Sequence, residues 1–429
     1  MGRGWGRVLL GREKGVACAV FFILFGVFQW AASNSDYIAN SLVLLKKWPR
    51  ESILGYPAVD KVHREVPENH MSDTVDTVIE DRNATPRVAI CLVGGARAFE
   101  LTGLSIKKYI LDVYEHTDVF LHVPVDENTH KLTLLRDASK FAAARLFVPK
   151  HIPETRIQQE VLTGANSPNG IQGLLQYFSL VQGCLGMISW YEDKHGFKYD
   201  WIVRTRVDGY WKGPLLPLQS FSPHKYHIPF GSSFGGYNDR LGIGTRLTSW
   251  AALSRVSLIP RLHQLGYRNL NSENSFKAQL ASENVTVELG EFPFCVLSSR
   301  KYAWPPDRWG VPVASIKSPG NLNGAKCRPC HAAARGAYAM QLLSVLDHAW
   351  GWMGPVHQGD VELCDSSKDE KPGLEQIFDE VSGPEFALAR KKIKNRTRKE
   401  CIQDIEEFGK MWELWDAPSA EELCSTVEK

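Results

Sequence analysis

The chain has 429 residues, enough for two or three domains of ordinary size and for a large buried core. Hydrophobic residues make up 44% and charged residues 23%, a composition that excludes a disordered or collagen-like chain. The 50 Lys and Arg residues nearly balance the 48 Asp and Glu residues, so the net charge of +2 disfavours a protein that coats nucleic acid.

The N-terminus has the pattern of a membrane anchor. Residues 15–35 contain no charged side chain, and a helix over Val16–Ala32 would span about 26 Å. Basic residues precede this segment and Asp36 follows it. The positive-inside rule therefore predicts a cytosolic tail at 1–14 and a single-pass type II protein with a lumenal C-terminus. The alternative is a signal peptide that is cleaved near Ala31.

Sequons and cysteines agree with a lumenal location. Asn83, Asn284 and Asn395 each begin an Asn-x-Thr glycosylation sequon, which is expected on the surface. Of nine cysteines, Cys18 lies in the apolar segment, and the other eight predict up to four disulfides in an oxidising compartment. The Cys-Arg-Pro-Cys motif at 327–330 has a zinc site as its alternative, but no second close cysteine pair accompanies it.

A stem and then a folded domain follow the anchor. Residues 36–86 mix Pro, Asn and charged residues with little apolar periodicity, which predicts a flexible stem. From Arg87 to Val93 the chain is almost wholly apolar and ends in two glycines, a pattern typical of a buried parallel strand that enters a tight turn. Helical spacing over 101–116 and a second buried strand at Thr117–Val123 complete a βαβ unit.

A long helix and another strand come next. Apolar residues over 169–195 predict an amphipathic helix that ends near Gly196. Tyr199–Val203 then predicts a strand that leads directly into a charged segment. Strands that alternate with helices at these lengths predict an α/β fold with a mostly parallel sheet. Ligands of such sheets bind beyond the carboxyl ends of the strands. Four candidate residues fall there: Gly94, Gly95, Arg97 and Asp208.

The composition changes again near residue 325. Five of the eight lumenal cysteines fall within 325–429. We predict a small, disulfide-stapled C-terminal region there, either as a unit of its own or as a brace on residues 87–324.

The sharpest chemical signal is the alternation of Arg204, Arg206 and Asp208 at the end of the predicted strand. Alternation in a strand places the three side chains on one face. Charges carried into a core are costly unless they pair with each other or meet a ligand. Two interpretations follow: a buried Arg–Asp pair, or a divalent metal on Asp208 that bridges two phosphates while an Arg neutralises their charge.

Several segments together resemble glycosyltransferases of the GT-A type from the Golgi and from bacteria. The segments are Gly94–Arg97, Asp118–His122, Tyr199–Asp208, Asn238–Arg246 and Ser272–Phe276. The chain resembles most closely a plant family of uncharacterised single-anchor Golgi proteins, and its cysteine-rich tail resembles only that family. The resemblance implies a GT-A-like nucleotide-diphospho-sugar transferase domain at 87–324.

The resemblance also implies how the donor is held. Gly94, Gly95 and Arg97 would lie against the nucleotide, since glycine lets backbone amides approach and Arg pairs with phosphate. Asp118 would face the base or ribose, with a loop-capping role as the alternative. GT-A enzymes usually carry Asp-x-Asp at the metal strand, but Arg206 replaces the first carboxylate here. A single Asp at this strand leaves metal-independent and inactive variants open.

The remaining roles concern the sugar and the acceptor. In the family pattern, Asp239 would bind sugar hydroxyls, with Arg240 and Arg246 orienting it; a turn with a salt bridge is the alternative. Glu273 is the candidate general base for the acceptor hydroxyl. Its alternative is a helix-start residue that only interacts with the helix dipole.

These expectations combine into one predicted function. We expect a glycosyltransferase that is anchored in the Golgi membrane by one helix and uses Mn²⁺ or another divalent metal at Asp208. It would move a sugar from a nucleotide-sugar donor to a hydroxyl of a glycan or protein in the Golgi lumen, without binding nucleic acid. The alternative is a non-catalytic binding or scaffold protein of the same fold.

Overall fold

The computed structural model describes residues 85–138, 140–165, 167–347, 360–368 and 373–427. The predicted tail, the anchor, the stem up to residue 84 and the sequon at Asn83 lie outside the described residues. Residues 81–429 form one compact unit.

Strands and helices alternate along much of the described chain. The strands are β1 Val88–Val93, β2 Thr117–Pro124, β3 Lys140–Phe147, β4 Trp201–Arg206, β5 Gly209–Trp211, β6 Lys225–Pro229, β7 Leu241–Thr245, β8 Thr286–Gly290, β9 Phe294–Leu297, β10 Ala314–Ser315, β11 Lys326–Arg328, β12 Ala334–Arg335, β13 Glu362–Leu363 and β14 Leu414–Asp416. The α-helices are α1 Phe99–Ile106, α2 Arg156–Val161, α3 Gly170–His195, α4 Arg246–Leu253, α5 Ile259–Gln264, α6 Ser272–Ser282, α7 Gly336–Ser344, α8 Leu374–Ser382, α9 Pro384–Lys394, α10 Arg398–Lys410 and α11 Ala420–Leu423.

The first sheet has eight strands among the described residues, in the order β14-β3-β2-β1-β4-β7-β6-β8. Neighbours are parallel except around β7, which is antiparallel to β4 and to β6. All six residues of β1 are buried, as expected for a parallel strand that is covered on both faces. The predicted mixed α/β fold is confirmed, and most neighbouring strands are parallel.

The register of β1 brings three strand ends together. Val93, the last residue of β1, pairs with His122 of β2 and with Arg206 of β4. On one face, the disulfide between Cys91 and Cys184 ties β1 to α3. The other face of β1 packs with the core that contains Phe99 of α1. Helices on both faces therefore leave the carboxyl ends of β1, β2 and β4 as a common edge.

α3 matches the predicted helix and is a core helix. Gly196 ends it in the left-handed conformation, with φ of 67°. By length and composition this helix is apolar enough to cross a membrane, but half of its most apolar stretch is buried in the protein. Its residues contact β1, β2 and β3. The helix predicted over 101–116 is shorter in the structure, because α1 ends at Ile106 and a π-helical turn continues to Leu111.

The second sheet joins segments from both sides of residue 325. Its six strands, within the described residues, have the order β12-β13-β10-β11-β9-β5. β5, β9 and β10 precede residue 325, whereas β11, β12 and β13 follow it. β14 also pairs with β3 at the edge of the first sheet. The cysteine-rich segment is thus a brace on the preceding domain, and it shares both sheets with it.

Four disulfides bear out the prediction for the eight cysteines that follow the apolar N-terminal segment. They are Cys91–Cys184, Cys295–Cys327, Cys330–Cys364 and Cys401–Cys424. The two cysteines of the motif at 327–330 enter different bridges, so this motif keeps no thiolate for zinc.

The two sequons within the described part of the chain are accessible. Asn284 lies in the turn before β8, and Asn395 follows α9. Both asparagines are exposed, as glycosylation requires. Their glycosylation stays a prediction.

The C-terminal disulfide gives a stability prediction. Cys401 and Cys424 are fully buried and join α10 to the end of α11 over a sequence separation of 23. Replacement of both by Ser removes the cross-link from the unfolded chain and should lower the free energy of unfolding by about 3 kcal/mol. Urea denaturation of the oxidised protein measures this loss. The single Cys424→Ser variant controls for the thiol that it leaves behind, and an unchanged midpoint in both variants would contradict the prediction.

Candidate functional site

A cleft of about 910 Å³ opens at the carboxyl ends of β1, β2 and β4. Its volume is within the range of small-molecule sites, and its position is where open α/β sheets bind ligands. Five residues that the sequence singled out line this cleft: Gly94, Gly95, Arg97, Arg206 and Asp208. Gly94, Gly95, Arg97 and Asp208 thus lie together beyond the carboxyl ends of the strands, where the sequence pattern predicted them. Their roles in binding stay predictions.

The turn after β1 carries a cation, Arg97, for which the described part of the chain provides no partner. Gly94 has φ of 121°, a conformation that residues with a side chain rarely adopt. Arg97 follows on the exposed side of this turn. Within the described residues, its guanidinium forms no hydrogen bond or ion pair. A glycine turn beside an unpaired guanidinium is suited to bind a phosphate.

Arg206 and Asp208 form a bidentate ion pair in the wall of the cleft. Nε of Arg206 donates to Oδ1 of Asp208 and Nη2 donates to Oδ2, both at 2.7 Å. The side chains are 25% and 14% exposed. Burial raises the pKa of Asp208, but the charges of Arg206, Lys326 and Arg97 outweigh it and hold this pKa below its usual range. The geometry is that of the Arg–Asp pair, the first of the two interpretations of this motif.

This ion pair bears directly on the predicted metal. The described residues contain no group of three His, Cys, Asp or Glu side chains that could hold a metal ion. Both oxygens of Asp208 are already bonded to Arg206. A hard cation that bridges a diphosphate needs one or two protein carboxylates, with phosphate and water oxygens as its other ligands. Asp208 is the carboxylate predicted for this role, and its pairing with Arg206 does not fit a Mn²⁺ ligand.

A second group of charged side chains adjoins this pair, and we call it the inner cluster. Its members are Arg204, Asp239, Arg240, Arg255, Glu273 and Lys326. Tyr177 of α3 connects the inner cluster to the cleft, which it also lines. Its hydroxyl donates to the backbone oxygen of Asp239 at 2.9 Å and accepts from Nη1 of Arg204 at 3.4 Å.

Asp239 holds the start of α6. Its Oδ2 accepts hydrogen bonds from Oγ of Ser272 at 2.7 Å and from Nη1 of Arg255 at 3.3 Å. Arg255 has a fully buried side chain and also donates to the backbone oxygen of Ser272 at 2.9 Å. Burial raises the pKa of Asp239, but Arg255 and Arg204 outweigh it and lower this pKa. These contacts make Asp239 a positioning residue for α6, beside the sugar-binding role predicted from the sequence.

Glu273 lies in the first turn of α6. Asn271 is the N-cap of this helix, so Glu273 does not serve as its cap. The loop before β7 packs closely on this turn: a Cβ at Gly236 would overlap the backbone of Glu273, so only glycine fits there. The amide of Tyr237 donates to the Glu273 carbonyl at 3.1 Å. Burial and the negative charge of Asp239 raise the pKa of Glu273 to about 7, against the opposing charge of Arg240. A carboxylate with a pKa near neutrality suits general base catalysis.

Arg240 and Lys326 complete the inner cluster from two different segments. Nη1 of Arg240 donates to the carbonyl oxygen of Gly324 at 2.6 Å. Lys326 begins β11, and its ammonium makes no hydrogen bond or ion pair with any other described residue. Burial, Arg240 and Arg206 lower the pKa of Lys326 to about 7.

Sequence reasoning missed Arg255 and Lys326. Arg255 follows α4 with no motif around it, so its sequence neighbours carry no signal of its role. Lys326 had one signal, because the Lys-Cys-Arg sequence of β11 puts two cations on the same face of a strand.

The site as a whole carries more cations than carboxylates. The cations are Arg204, Arg206, Arg240, Arg255 and Lys326, and the carboxylates are Asp208, Asp239 and Glu273. Excess charge of one sign is costly away from water unless a ligand of the opposite sign compensates it. The inner cluster and the cleft are therefore suited to an anionic ligand.

Two predicted site residues lie at the opposite edge of the sheet. Asp118 is near the amino end of β2, where it accepts a hydrogen bond from the hydroxyl of Tyr199 at 2.8 Å. Arg246 begins α4 beside the amino end of β4, and it donates to the buried Glu192 at 2.8 Å. Neither residue lines the cleft. Arg246 has the salt bridge that its alternative describes, and Asp118 is bonded to the Tyr199 hydroxyl and not to a loop backbone. We give neither residue a role in the cleft.

Comparisons with known proteins identify a family and a distant structural likeness. A family model described as "Domain of unknown function (DUF7796)" matches residues 83–429. A crystal structure of mouse xyloside xylosyltransferase 1 in its apo form matches with 12% identity and a TM-score of 0.30, covering 48% of this chain and 86% of that chain. No curated protein matches the chain. A likeness at that TM-score identifies neither a donor nor an acceptor for this chain.

The ion pair in the cleft wall predicts an asymmetric mutational effect. Asp208→Asn leaves Arg206 without its partner among other cations, and should lower the free energy of unfolding by about 2 to 3 kcal/mol. The double variant Arg206→Met, Asp208→Asn also removes the stranded charge and should recover at least half of this loss. Urea denaturation of the wild type, Asp208→Asn, Arg206→Met and the double variant measures the coupling. Equal stability of Asp208→Asn and the wild type would contradict the pairing.

The raised pKa of Glu273 predicts a pH dependence with a definite sign. A carboxyl with a pKa of 4.5 when unfolded and about 7 when folded is protonated more readily in the folded state. Its contribution to stability is therefore lost as the pH rises from about 4.5 through 7. Glu273→Gln removes this dependence. Between pH 5 and pH 8, the free energy of unfolding of the variant should therefore rise relative to that of the wild type by up to about 3 kcal/mol. Parallel stability profiles across this range would refute the assignment.

Proposed function

The chain belongs to the DUF7796 family, and we propose that it is a glycosyltransferase that moves a sugar from a nucleotide-sugar donor to a hydroxyl of a glycan or protein. One observation carries this proposal: excess buried cations adjoin a cleft at the carboxyl ends of parallel strands, next to a carboxyl group with a pKa near 7. A diphosphate would compensate the cations, and the carboxylate would accept the proton of the acceptor hydroxyl.

The two ends of the cleft suit the two ends of a nucleoside diphosphate. At one end, Gly94, Arg97 and Arg206 offer backbone and guanidinium donors to phosphate oxygens. The other part of the cleft has an apolar wall, which gives a nucleobase a surface to stack on. Its apolar residues are Leu146, Phe147, Val148, Pro149 and Ile152.

The proposed reaction uses Glu273 as the base. The acceptor oxygen forms a bond to the anomeric carbon of the sugar as the bond from that carbon to the phosphate oxygen breaks. The acceptor proton passes to the Glu273 carboxylate, and the diphosphate leaves with the electron pair. Arg206 and the cations of the inner cluster stabilise the negative charge that develops on this leaving group. Asp239 and Ser272 act through Glu273 by fixing the first turn of α6.

We place this activity in the Golgi lumen, at a membrane reached through the anchor predicted for residues 15–35. Four disulfides support an oxidising compartment, because such bonds are rare in the reducing cytosol. The exposed Asn284 and Asn395 would be glycosylated there. Origin in the plant family of Golgi proteins belongs to the same proposal.

One observation favours a second candidate, a non-catalytic binding or scaffold protein. Asp208 is bonded to Arg206 through both oxygens, so the carboxylate that would hold a catalytic metal is engaged within the protein. Such a protein would bind a nucleotide and hold no transfer activity. Binding and turnover must therefore be measured separately.

Calorimetric titration of the full-length protein tests binding. UDP and GDP should bind at least about tenfold more tightly than uridine and guanosine, because only the diphosphates meet the cations. Arg97→Gln should weaken diphosphate binding by about tenfold, whereas Lys225→Gln, at an exposed ion pair with Glu288, should not. Diphosphates that bind no better than nucleosides would contradict the proposal.

Release of sugar from a panel of UDP- and GDP-sugars tests turnover on the same samples. The wild type should release or transfer sugar, and Glu273→Gln should lose this activity while it retains diphosphate binding. Diphosphate binding without turnover by the wild type on any donor of the panel would favour the scaffold.

A further inference from the structure

The second sheet carries Lys326 to the strand end that holds Asp208. Lys326 of β11 pairs with Val296 of β9, and Val296 pairs in turn with Gly209 of β5. Asp208 directly precedes β5, and its carbonyl accepts a hydrogen bond from the amide of Leu297 at 3.0 Å. The cysteine-rich segment thus supplies a cation to a site that is otherwise built from the first sheet and α6.

Three contacts fix the position of this segment. Cys327, the residue after Lys326, is bridged to Cys295 of the neighbouring strand. Just before Lys326, the carbonyl of Gly324 accepts a hydrogen bond from Arg240 at 2.6 Å. Asn238 also donates to the carbonyl of Asn323 at 2.9 Å. The backbone of 323–327 is therefore held on both sides while the ammonium of Lys326 has no protein partner among the described residues.

The charges around Lys326 indicate which kind of ligand would stabilise its ammonium group. Arg206 and Arg240 both act on Lys326 as like charges. The facing carboxylates are Asp208 and Glu273, but Asp208 is bonded to Arg206. A partly buried ammonium among guanidinium groups is stabilised by an anion that reaches all of them at once. A diphosphate has oxygens on two phosphorus atoms and meets this requirement.

We propose that Lys326 binds the diphosphate of the donor, in the position where a divalent metal would otherwise lie, and that donor binding needs no metal. The inference rests on the proposed function and names the side chain that replaces the missing metal ligand. It makes the C-terminal segment part of the donor site, with the Cys295–Cys327 bridge holding the lysine in place.

Titrations of the full-length protein with UDP, GDP and inorganic pyrophosphate, in EDTA and again with Mn²⁺, test this inference. Lys326→Met removes the charge and keeps the length of the side chain, and it should weaken diphosphate binding tenfold to about a hundredfold. Lys326→Arg keeps the charge and should retain most of the affinity. Lys225→Met, at an exposed ion pair with Glu288, is the matched control and should bind like the wild type.

Melting temperatures separate a ligand-binding role from a structural one. If Lys326 is poised for an anion, Lys326→Met relieves repulsion from Arg206 and Arg240 and should melt at or above the wild-type temperature, with a smaller shift on adding pyrophosphate. A drop in melting temperature with unchanged pyrophosphate affinity would overturn the inference in favour of a structural lysine.

The outcomes also distinguish this inference from the proposed function. Failure of the wild type to bind UDP, GDP and pyrophosphate, with and without Mn²⁺, would refute the proposed function and the inference with it. Binding that EDTA abolishes, or that Lys326→Met leaves unchanged, would refute the role of Lys326 alone. Binding in EDTA that Lys326→Met weakens, and that Lys326→Arg and Lys225→Met leave nearly unchanged, supports both.

Discussion

Two hydrogen bonds of 2.7 Å join Arg206 to Asp208 where β4 ends, and the electrostatics of the site depend on this pair. The pair engages both oxygens of the carboxylate that a metal would need. It also neutralises only one of several cations, so Arg240 and Lys326 keep an uncompensated positive charge beside the cleft. A site of this kind is more stable with an anion bound than without one. The same ion pair thus disfavours a metal and favours a phosphate-bearing ligand.

The fold offsets most of the repulsion among these cations by local contacts. Arg255 donates to Asp239 and to the backbone of Ser272, Arg240 to the carbonyl of Gly324, and Arg204 to the hydroxyl of Tyr177. The residues come from distant parts of the chain. The Cys91–Cys184 disulfide holds α3, which carries Tyr177, and the Cys295–Cys327 disulfide holds β11, which carries Lys326. Lys326 is the cation of the inner cluster for which the described residues provide no such contact. The positive charge of Lys326 therefore lowers the stability of the free protein but favours the binding of an anion.

Local sequence patterns were sufficient for the parts of the molecule that local forces determine. The apolar run of β1, the helical spacing of α3 and the glycine that ends it predicted these elements closely, because burial and chain geometry act within a few residues. The strands of the second sheet are two to four residues long, too short for a periodic signal, so the brace was not resolved. Asp118 and Arg246 fit a motif by position, yet tertiary contacts give them Tyr199 and Glu192 as partners. Arg255 and Lys326 reach the site only through the fold: Arg255 has no motif around it, and the Lys-Cys-Arg sequence of β11 shows two cations on one face of a strand but not which site they reach.

A crystal structure of the full-length protein with bound UDP or GDP, grown in EDTA, tests the central claim most directly. We expect the diphosphate to lie in the cleft against Gly94 and Gly95, with oxygens within hydrogen-bond distance of Arg97 and Lys326 and with the Arg206–Asp208 pair intact. A nucleotide bound outside this cleft would contradict it. So would a diphosphate held by a divalent ion on Asp208 after Arg206 has moved away.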